Sequence, residues 1–260
     1  MIDKVLFWNI RLVNTQNSFE RLIELNRRHH YSLIALMEPF HGSDEVESYR
    51  RRLGIHNSMV NMSEKIWIFL TDDWQAQVIM DSVQHVTLKM THVNLQQETF
   101  VTIVYAKCTT IERLELWDSI AQATLNIQGP WIIGKNFNVI LRPNEKVGVL
   151  LVHLSETADF AHFVNNCGLM ELKYSGSRYT WWNGRTEEDC IFKRLDRVFG
   201  NQEFMDLFPS SEVPHLIRHG FDHAHFHVVC DTQEEVVVKP FKFLNFWSQH
   251  PKILDLVQDN

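Results

Sequence analysis

The chain has 260 residues, 45% hydrophobic and 22% charged, which excludes a disordered chain lacking the apolar residues for a core. Ten Gly and seven Pro exclude a collagen-like chain, and four Cys exclude a small disulfide-stapled scaffold. Lys+Arg number 25 against 32 Asp+Glu, and a net charge of −7 argues against a surface coated for nucleic acid, while leaving room for a locally basic cleft or a carboxylate-lined metal site.

Cys108, Cys167, Cys190 and Cys230 show neither metal-ligand nor redox spacing and read as free thiols in a reducing compartment. No segment has the make-up of a signal peptide, and none reaches the roughly 20 apolar residues of a membrane span. The expectation is an intracellular protein, nuclear or cytoplasmic. Arg27-Arg28, Arg50-Arg51-Arg52 and Arg194/Arg197 are local basic clusters, the first two read as solvated faces.

In chain order, Lys4–Trp8 reads as a buried strand ending at Asn9. Ser18–His29 has Phe19, Leu22, Ile23 and Leu25 at helical spacing. Ser32–Met37 is a strand that runs into Glu38 and Pro39, and Asp44–Leu53 reads as a helix. Ile66–Leu70, Gln77–Met80, Val83–Met90 and Thr99–Tyr105 form a β-rich stretch, with half-buried alternation in Val83–Met90. Thr110–Ile127 is the clearest helix, with Leu114, Trp117, Ile120 and Ala121 as its apolar stripe. Pro130–Ile133 reads as a strand leading into Gly134, and Ser155–Asn166 as a helix with Ser155 at its N-cap. Arg178–Trp182, Ile191–Phe192, Val213–Ile217 and Ala224–Val229 are later strands. Strands in direct succession, mixed with helices, favour two layered sheets with helices outside over a βαβ repeat. After about residue 232 the pattern changes, and Phe241, Phe243, Leu244, Phe246 and Trp247 crowd together near the end of the chain.

Polar residues recur where apolar runs stop: Asn9, Glu38, Asn136, Asn138 and Asp222-His223. Strand ends form the rim on which sites of layered α/β folds are built. A rim of carboxylate, amide and imidazole suits a hard divalent cation together with a phosphate.

These segments carry a resemblance. Phe7-Trp8-Asn9-Ile10-Arg11, Leu33-Ile34-Ala35-Leu36-Met37-Glu38-Pro39 and Val104-Tyr105-Ala106 resemble strands of the endonuclease/exonuclease/phosphatase superfamily, the DNase I-like proteins. Trp131–Ile140 is similar to that family's Gly-Asp-Phe-Asn strand end. Tyr179-Thr180-Trp181 resembles its Thr-Trp motif, Lys193–Val198 its Arg-Leu-Asp-Arg motif, and Phe221-Asp222-His223 its Ser-Asp-His. Within the family the chain most resembles the endonuclease domain of plant non-LTR (LINE-type) retrotransposons. Pro240–Trp247 with His250-Pro251 look like the connector to a reverse transcriptase in full-length relatives.

The resemblance implies a four-layer α/β/β/α sandwich of two mixed sheets over residues 1–232, with 233–260 as the connector. It implies hydrolysis of DNA phosphodiesters with Mg²⁺ or Mn²⁺, no small-molecule cofactor and no membrane. Glu38 would hold the metal with Asn9 beside it and Asp222 near its shell. Asp196 would orient His223 towards the scissile phosphate, Tyr105 would touch that phosphate, and Asn138 would help position the nucleophile. Asn136 departs from the pattern, standing where the family has an Asp thought to activate the attacking water, with Lys135 before it. An amide cannot act as a base, so the resemblance implies a catalytically impaired site. Phe221 replaces the family's Ser, and His225-Phe226 its Pro-Leu. Three alternatives stand beside this reading. They are a zinc site on His223, His225 and His227, which alternate as if on one strand face, a phosphatase of the same fold, and a non-catalytic remnant that binds nucleic acid. The eight Trp read mainly as core, with Trp181 or Trp182 candidates for a DNA groove.

Overall fold

In the computed structural model, which describes residues 2, 4–10, 16–40, 42–94, 97–148, 155–185, 187–216 and 222–232, the first apolar run forms β1 (Lys4–Asn9), buried from Val5 onward. It is followed by α1 (Gln16–His29), the fully buried β2 (Leu33–Met37) and α2 (Val46–Leu53). β3 (Asn57–Val60) and β4 (Ile66–Leu70) form a hairpin, and β5 (Trp74–Asp81), β6 (His85–His92) and β7 (Glu98–Tyr105) form a meander. α3 (Thr110–Ala123), β8 (Trp131–Asn136), β9 (Lys146–Val147) and α4 (Ser155–Asn166) come next. The short strands β10 (Met170–Glu171), β11 (Lys173–Ser175), β12 (Trp181–Trp182) and β13 (Phe192–Lys193) precede β14 (Asp196–Gly200). α5 (Gln202–Leu207), β15 (Glu212–Pro214) and β16 (Phe226–Val229) complete the described chain.

Among the described residues one sheet has the order β11-β15-β16-β1-β2-β4-β3 and the other β10-β14-β8-β7-β6-β5, with a small third sheet β12-β13-β9. β1–β2 and β7–β8 are parallel while their outer neighbours are antiparallel, so both large sheets are mixed. A parallel pair needs a crossover, and α1 and α3 supply the two.

The sheets pack face to face through Val5, Phe7, Ala35 and Ile68 on one side and Leu88, Val101, Ile103 and Ile132 on the other. α1 and α2 cover the outer face of the first sheet through Phe19, Leu22, Leu25, Tyr49 and Leu53. α3 and α4 cover the second through Leu116, Trp117, Ile120, Phe160 and Phe163. The result is the expected four layers. Burying each large side chain contributes roughly 1.5–3 kcal/mol, and both faces of each sheet are used in this way.

Several local expectations differ from what forms. The long helix stops at Ala123 and ends in a 3₁₀ turn over Thr124–Asn126. Its buried stripe is Arg113, Leu116, Trp117, Ile120 and Ala123, whereas Leu114 is 43% exposed, so the helix is rotated from the expected face. β6 is not half-exposed: its polar residues His85 and Thr87 are buried, bonded to Ser119 under α3 and to Thr102 of β7. The segment from Asp44 begins as a 3₁₀ turn, and the helix proper starts at Val46. The expected strand Arg178–Trp182 shrinks to Trp181–Trp182, and the Thr180 hydroxyl bonds the start of β14. The Ser155 side chain, Phe221 and the connector 233–260 lie outside the described residues.

Candidate functional site

The sandwich gathers the polar strand ends on one rim. β1, β2, β7 and β8 end there, at Asn9, Met37 before Glu38, Tyr105 and Asn136. β14 is antiparallel to β8, so it begins there, with Asp196 opposite Asn136. β16 is antiparallel to β1, so the residues before Phe226, including Asp222 and His223, reach the same rim.

Gly134 sets how closely the two sheets approach below this rim. A Cβ at Gly134 would lie 3.0 Å from the Phe7 ring, closer than most carbon contacts. Asn9 and Asn136 come two residues after Phe7 and Gly134 on their strands, on the faces that meet.

A cleft of about 330 Å³ opens here, lined by Glu38, Tyr105, Asn136, Asn138, Asp222 and His223, with Trp181 and Lys193 at its side. Asp196 lies beneath it, fully buried, and Asn9 is also fully buried at the end of β1. Neither the amide oxygen nor the amide nitrogen of Asn9 has a hydrogen-bond partner among the described residues. Leaving such a group unsatisfied costs about 1–3 kcal/mol, so it points to an absent ligand. The Tyr105 hydroxyl donates to Glu38 Oε1. Asn138 Nδ2 donates to the Ala106 carbonyl at 2.5 Å, which turns its amide oxygen away from that strand end. Asn136 Oδ1 accepts from the Asn138 backbone N–H at 2.9 Å.

His223 Nδ1 lies 2.9 and 3.1 Å from the two Asp196 oxygens, which fixes the ring and leaves its other nitrogen for the cleft. Thr180 accepts from the backbone N–H groups of Leu195 and Asp196, both at 3.0 Å, and so pins the strand that carries the carboxylate. Burial alone would push the Asp196 pKa up. The charges of His223 and Lys135, with hydrogen bonds from His223 and Thr180, outweigh it and hold the carboxyl well below the usual range.

Lys135 does not reach into the cleft. Its φ of 107° lies in the region that glycine favours, and this turns a side chain expected on the helix side towards the inter-sheet space. There its ammonium lies 3.3 Å from Asp196 Oδ1, donates to the Ala224 carbonyl at 2.5 Å and sits 4.4 Å above the Phe226 ring. Burial pulls its pKa down, with Asp196 pulling the other way. Glu38 and Asn138 also have positive φ, 54° and 50°. Such non-glycine conformations each cost roughly 1–3 kcal/mol and gather at functional sites. Periodicity shows neither Lys135 nor Thr180 as part of this arrangement. The Thr-Trp motif is the signal for Thr180.

The three-histidine expectation is corrected. His223 turns to Asp196, but His225 packs at a tilt against Trp8 and His227 meets Tyr31 and His29 on the opposite face of the sheet. The chain before Phe226 is not yet in strand, so alternation does not extend to His223. Among the described residues no group of three His, Cys, Asp or Glu is arranged to hold a metal ion. Glu38 and Asp222 are the two carboxylates on the cleft wall. Trp8, Trp67, Trp74, Trp117 and Trp131 are core residues, Trp181 and Trp182 are half-buried, and Trp247 lies outside the described residues. No helix among the described residues is long and apolar enough to cross a membrane.

No family model matches the chain, and no curated protein does. Solved structures do. The endonuclease domain of TRAS1, a telomere-specific non-LTR retrotransposon, superposes with a TM-score of 0.65 at 14% identity, covering 89% of this chain and 99% of that one. An AP endonuclease from Leishmania major gives 0.67 at 12%, covering 89% and 88%. A 3′ phosphatase from Neisseria bound to product DNA gives 0.65 at 14%, covering 88% and 99%. With two mixed sheets between helical layers and this set of structural neighbours, the chain has the DNase I-like fold.

Proposed function

We propose that the chain is a divalent-metal-dependent phosphodiester hydrolase acting on DNA, of the non-LTR retrotransposon endonuclease kind, with its rate held down by Asn136. The observation that carries this reading is the convergence of Glu38, Tyr105, Asn136, Asn138, Asp222 and His223 on one cleft, above a buried Asp196–His223 pair. The oxygen donors of Glu38 and Asp222, with the unsatisfied Asn9 amide close to the start of the Glu38 turn, fit a hard cation such as Mg²⁺ or Mn²⁺. When bound, the metal supplies neutralisation of the phosphate oxygens and a more acidic water.

The chain's own groups do the rest. Asp196 holds His223 so that its free ring nitrogen meets a phosphate oxygen and shares a proton with it. Tyr105 donates its hydroxyl to Glu38 and steadies that carboxylate, and its single proton would have to leave Glu38 to meet the phosphate. Asn138 presents an amide oxygen that orients the attacking water. Asn136 keeps the shape of an acid but takes no proton, and loss of a general base slows such reactions by about 10²–10⁴. Residues 233–260 are read as the connector of such an endonuclease to a reverse transcriptase.

Nicking of supercoiled plasmid in Mg²⁺ tests this. Wild type nicks slowly, Asn136→Asp nicks faster by a factor of about 10² or more, and Glu38→Ala removes activity from both. Robust wild-type nicking lost in Glu38→Ala overturns the impairment. Inactivity of both wild type and Asn136→Asp overturns the hydrolase reading.

A further inference from the structure

A second cleft of about 260 Å³ adjoins the first and shares Cys108, Asn138, Lys193 and Leu195 with it. Its described lining holds three basic side chains, Arg113, Lys146 and Lys193, and no carboxylate. That is a cationic cleft in a chain with a net charge of −7. Arg113 is buried and spends its guanidinium on the carbonyls of Lys107 and Cys108, so the two lysines set the character of the open surface.

The lysines are placed by sheet register. Trp181 pairs with His223 in an isolated antiparallel bridge, with Lys193 across β12–β13, and Lys193 pairs with Lys146 across β13–β9. Directly opposed residues of antiparallel strands share a face. His223, Trp181, Lys193 and Lys146 therefore form one cross-strand row, which starts in the catalytic cleft and ends in the cationic one. At the usual spacing of strands the row is about 14 Å long, the rise of about four nucleotides on one DNA strand. Lys193 Nζ also lies 5.7 Å over the Trp181 ring.

Two like charges placed directly opposite each other destabilise a sheet. Both lysines are only partly buried, and both line the cationic cleft. An anion lying between them turns the repulsion into binding. We propose that Lys146 and Lys193 form a phosphate subsite for the backbone of a DNA strand, next to the phosphate held at His223. This rests on the reading of DNA as the substrate, and it names the residues that hold the flanking strand. The row sets a direction: the strand runs from His223 across Trp181 towards β9.

The test is DNA affinity as a function of salt. A labelled oligonucleotide duplex is titrated in EDTA, so that no divalent cation bridges the partners. Each lysine that neutralises a phosphate adds about one to the slope of log K against log salt. Lys146→Gln and Lys193→Gln should each lower the slope by about one, and the double variant by about two. Lys146→Glu gives a second readout, independent of DNA: it sets an opposite charge against Lys193, so it should raise the melting temperature of the free protein while weakening DNA binding. A variant that melts lower than wild type and binds with an unchanged slope overturns the subsite. Salt-dependent binding by wild type with slopes unmoved by either lysine overturns the subsite alone. Absence of salt-dependent binding in wild type overturns the DNA reading and the subsite with it.

Discussion

Asp196 and Arg197 are neighbours on β14, and each roots a buried charge cluster on its own face of the second sheet. Asp196 shares the inter-sheet face with Val198, and Arg197 shares the helix-side face with Phe199. The Arg197 cluster balances its charges, although Arg194 Nε and Arg197 Nε have no partner among the described residues. Its guanidinium bonds Glu145 and, at 2.8 Å, Glu171, which also takes Arg194 at 2.6 Å. Glu145 further accepts the backbone N–H groups of Leu141 and Arg142 at 2.7 and 3.0 Å. Two cations meet two anions, and the loop before β9 is tied to β14 and β10. The Asp196 cluster is open. One carboxylate faces Lys135 and His223, and the imidazole has a nitrogen left for the cleft. Both clusters are equally dry at their centres. What separates a brace from a site is the group left with bonding capacity at a cavity.

The largest effect should come from breaking the balanced cluster. Arg197→Met takes from the buried Glu145 its ion-pair partner and should cost about 3–5 kcal/mol in urea unfolding. Adding Glu145→Gln should recover at least half of that, because exchanging a buried ion pair for neutral groups is close to free-energy neutral. Failure of the double variant to recover would mean that the loop, not the charge, is what Arg197 holds.

Lys135→Met probes the open cluster and should cost less, about 2 kcal/mol, because Asp196 keeps His223. The acid limb sharpens the contrast. A carboxyl with a depressed folded pKa adds stability above its unfolded pKa of about 3.9 and loses it as pH falls towards the folded value. Lys135 is one of the charges that depress Asp196. Lys135→Met should therefore lose less stability than wild type on acidification below about pH 4. An equal loss would show that Lys135 does not act on Asp196.

The sequence made the interior strands legible because they are apolar at nearly every position: Lys4–Asn9, Leu33–Met37 and Ile66–Leu70 could be nothing else. Lys146–Val147, Met170–Glu171 and Lys173–Ser175 were not legible, since pieces this short become strands only by pairing with a partner distant in sequence. α3 misled because its apolar residues scatter around the axis, and Arg113 is buried to bond the carbonyls at its own start. At the site, polar residues after apolar runs marked the rim, and shared motifs marked Asp196 and Thr180. Lys135 was hidden because its place depends on one backbone angle, and the row to Lys146 because register is invisible before folding.

The smallest effect concerns three imidazoles. His85, bonded to Ser119, and His227, bonded to Tyr31, are pulled down to about 4, chiefly by burial, and so is His215. Between pH 6.5 and 4 these rings are neutral when folded and protonated when unfolded. The unfolded state then binds more protons, so stability falls as pH falls through that window. Each ring contributes about 1.4 kcal/mol per pH unit once below its unfolded value, or about 1 kcal/mol on going from pH 7 to 5.5. His85 is fully buried and does not line the cleft, so His85→Gln, which keeps a partner for Ser119, isolates one such ring. Its urea midpoint should fall less than that of wild type over the same pH step. Equal falls would mean that His85 charges in the folded protein, and that a buried imidazole here needs no carboxylate to become a cation.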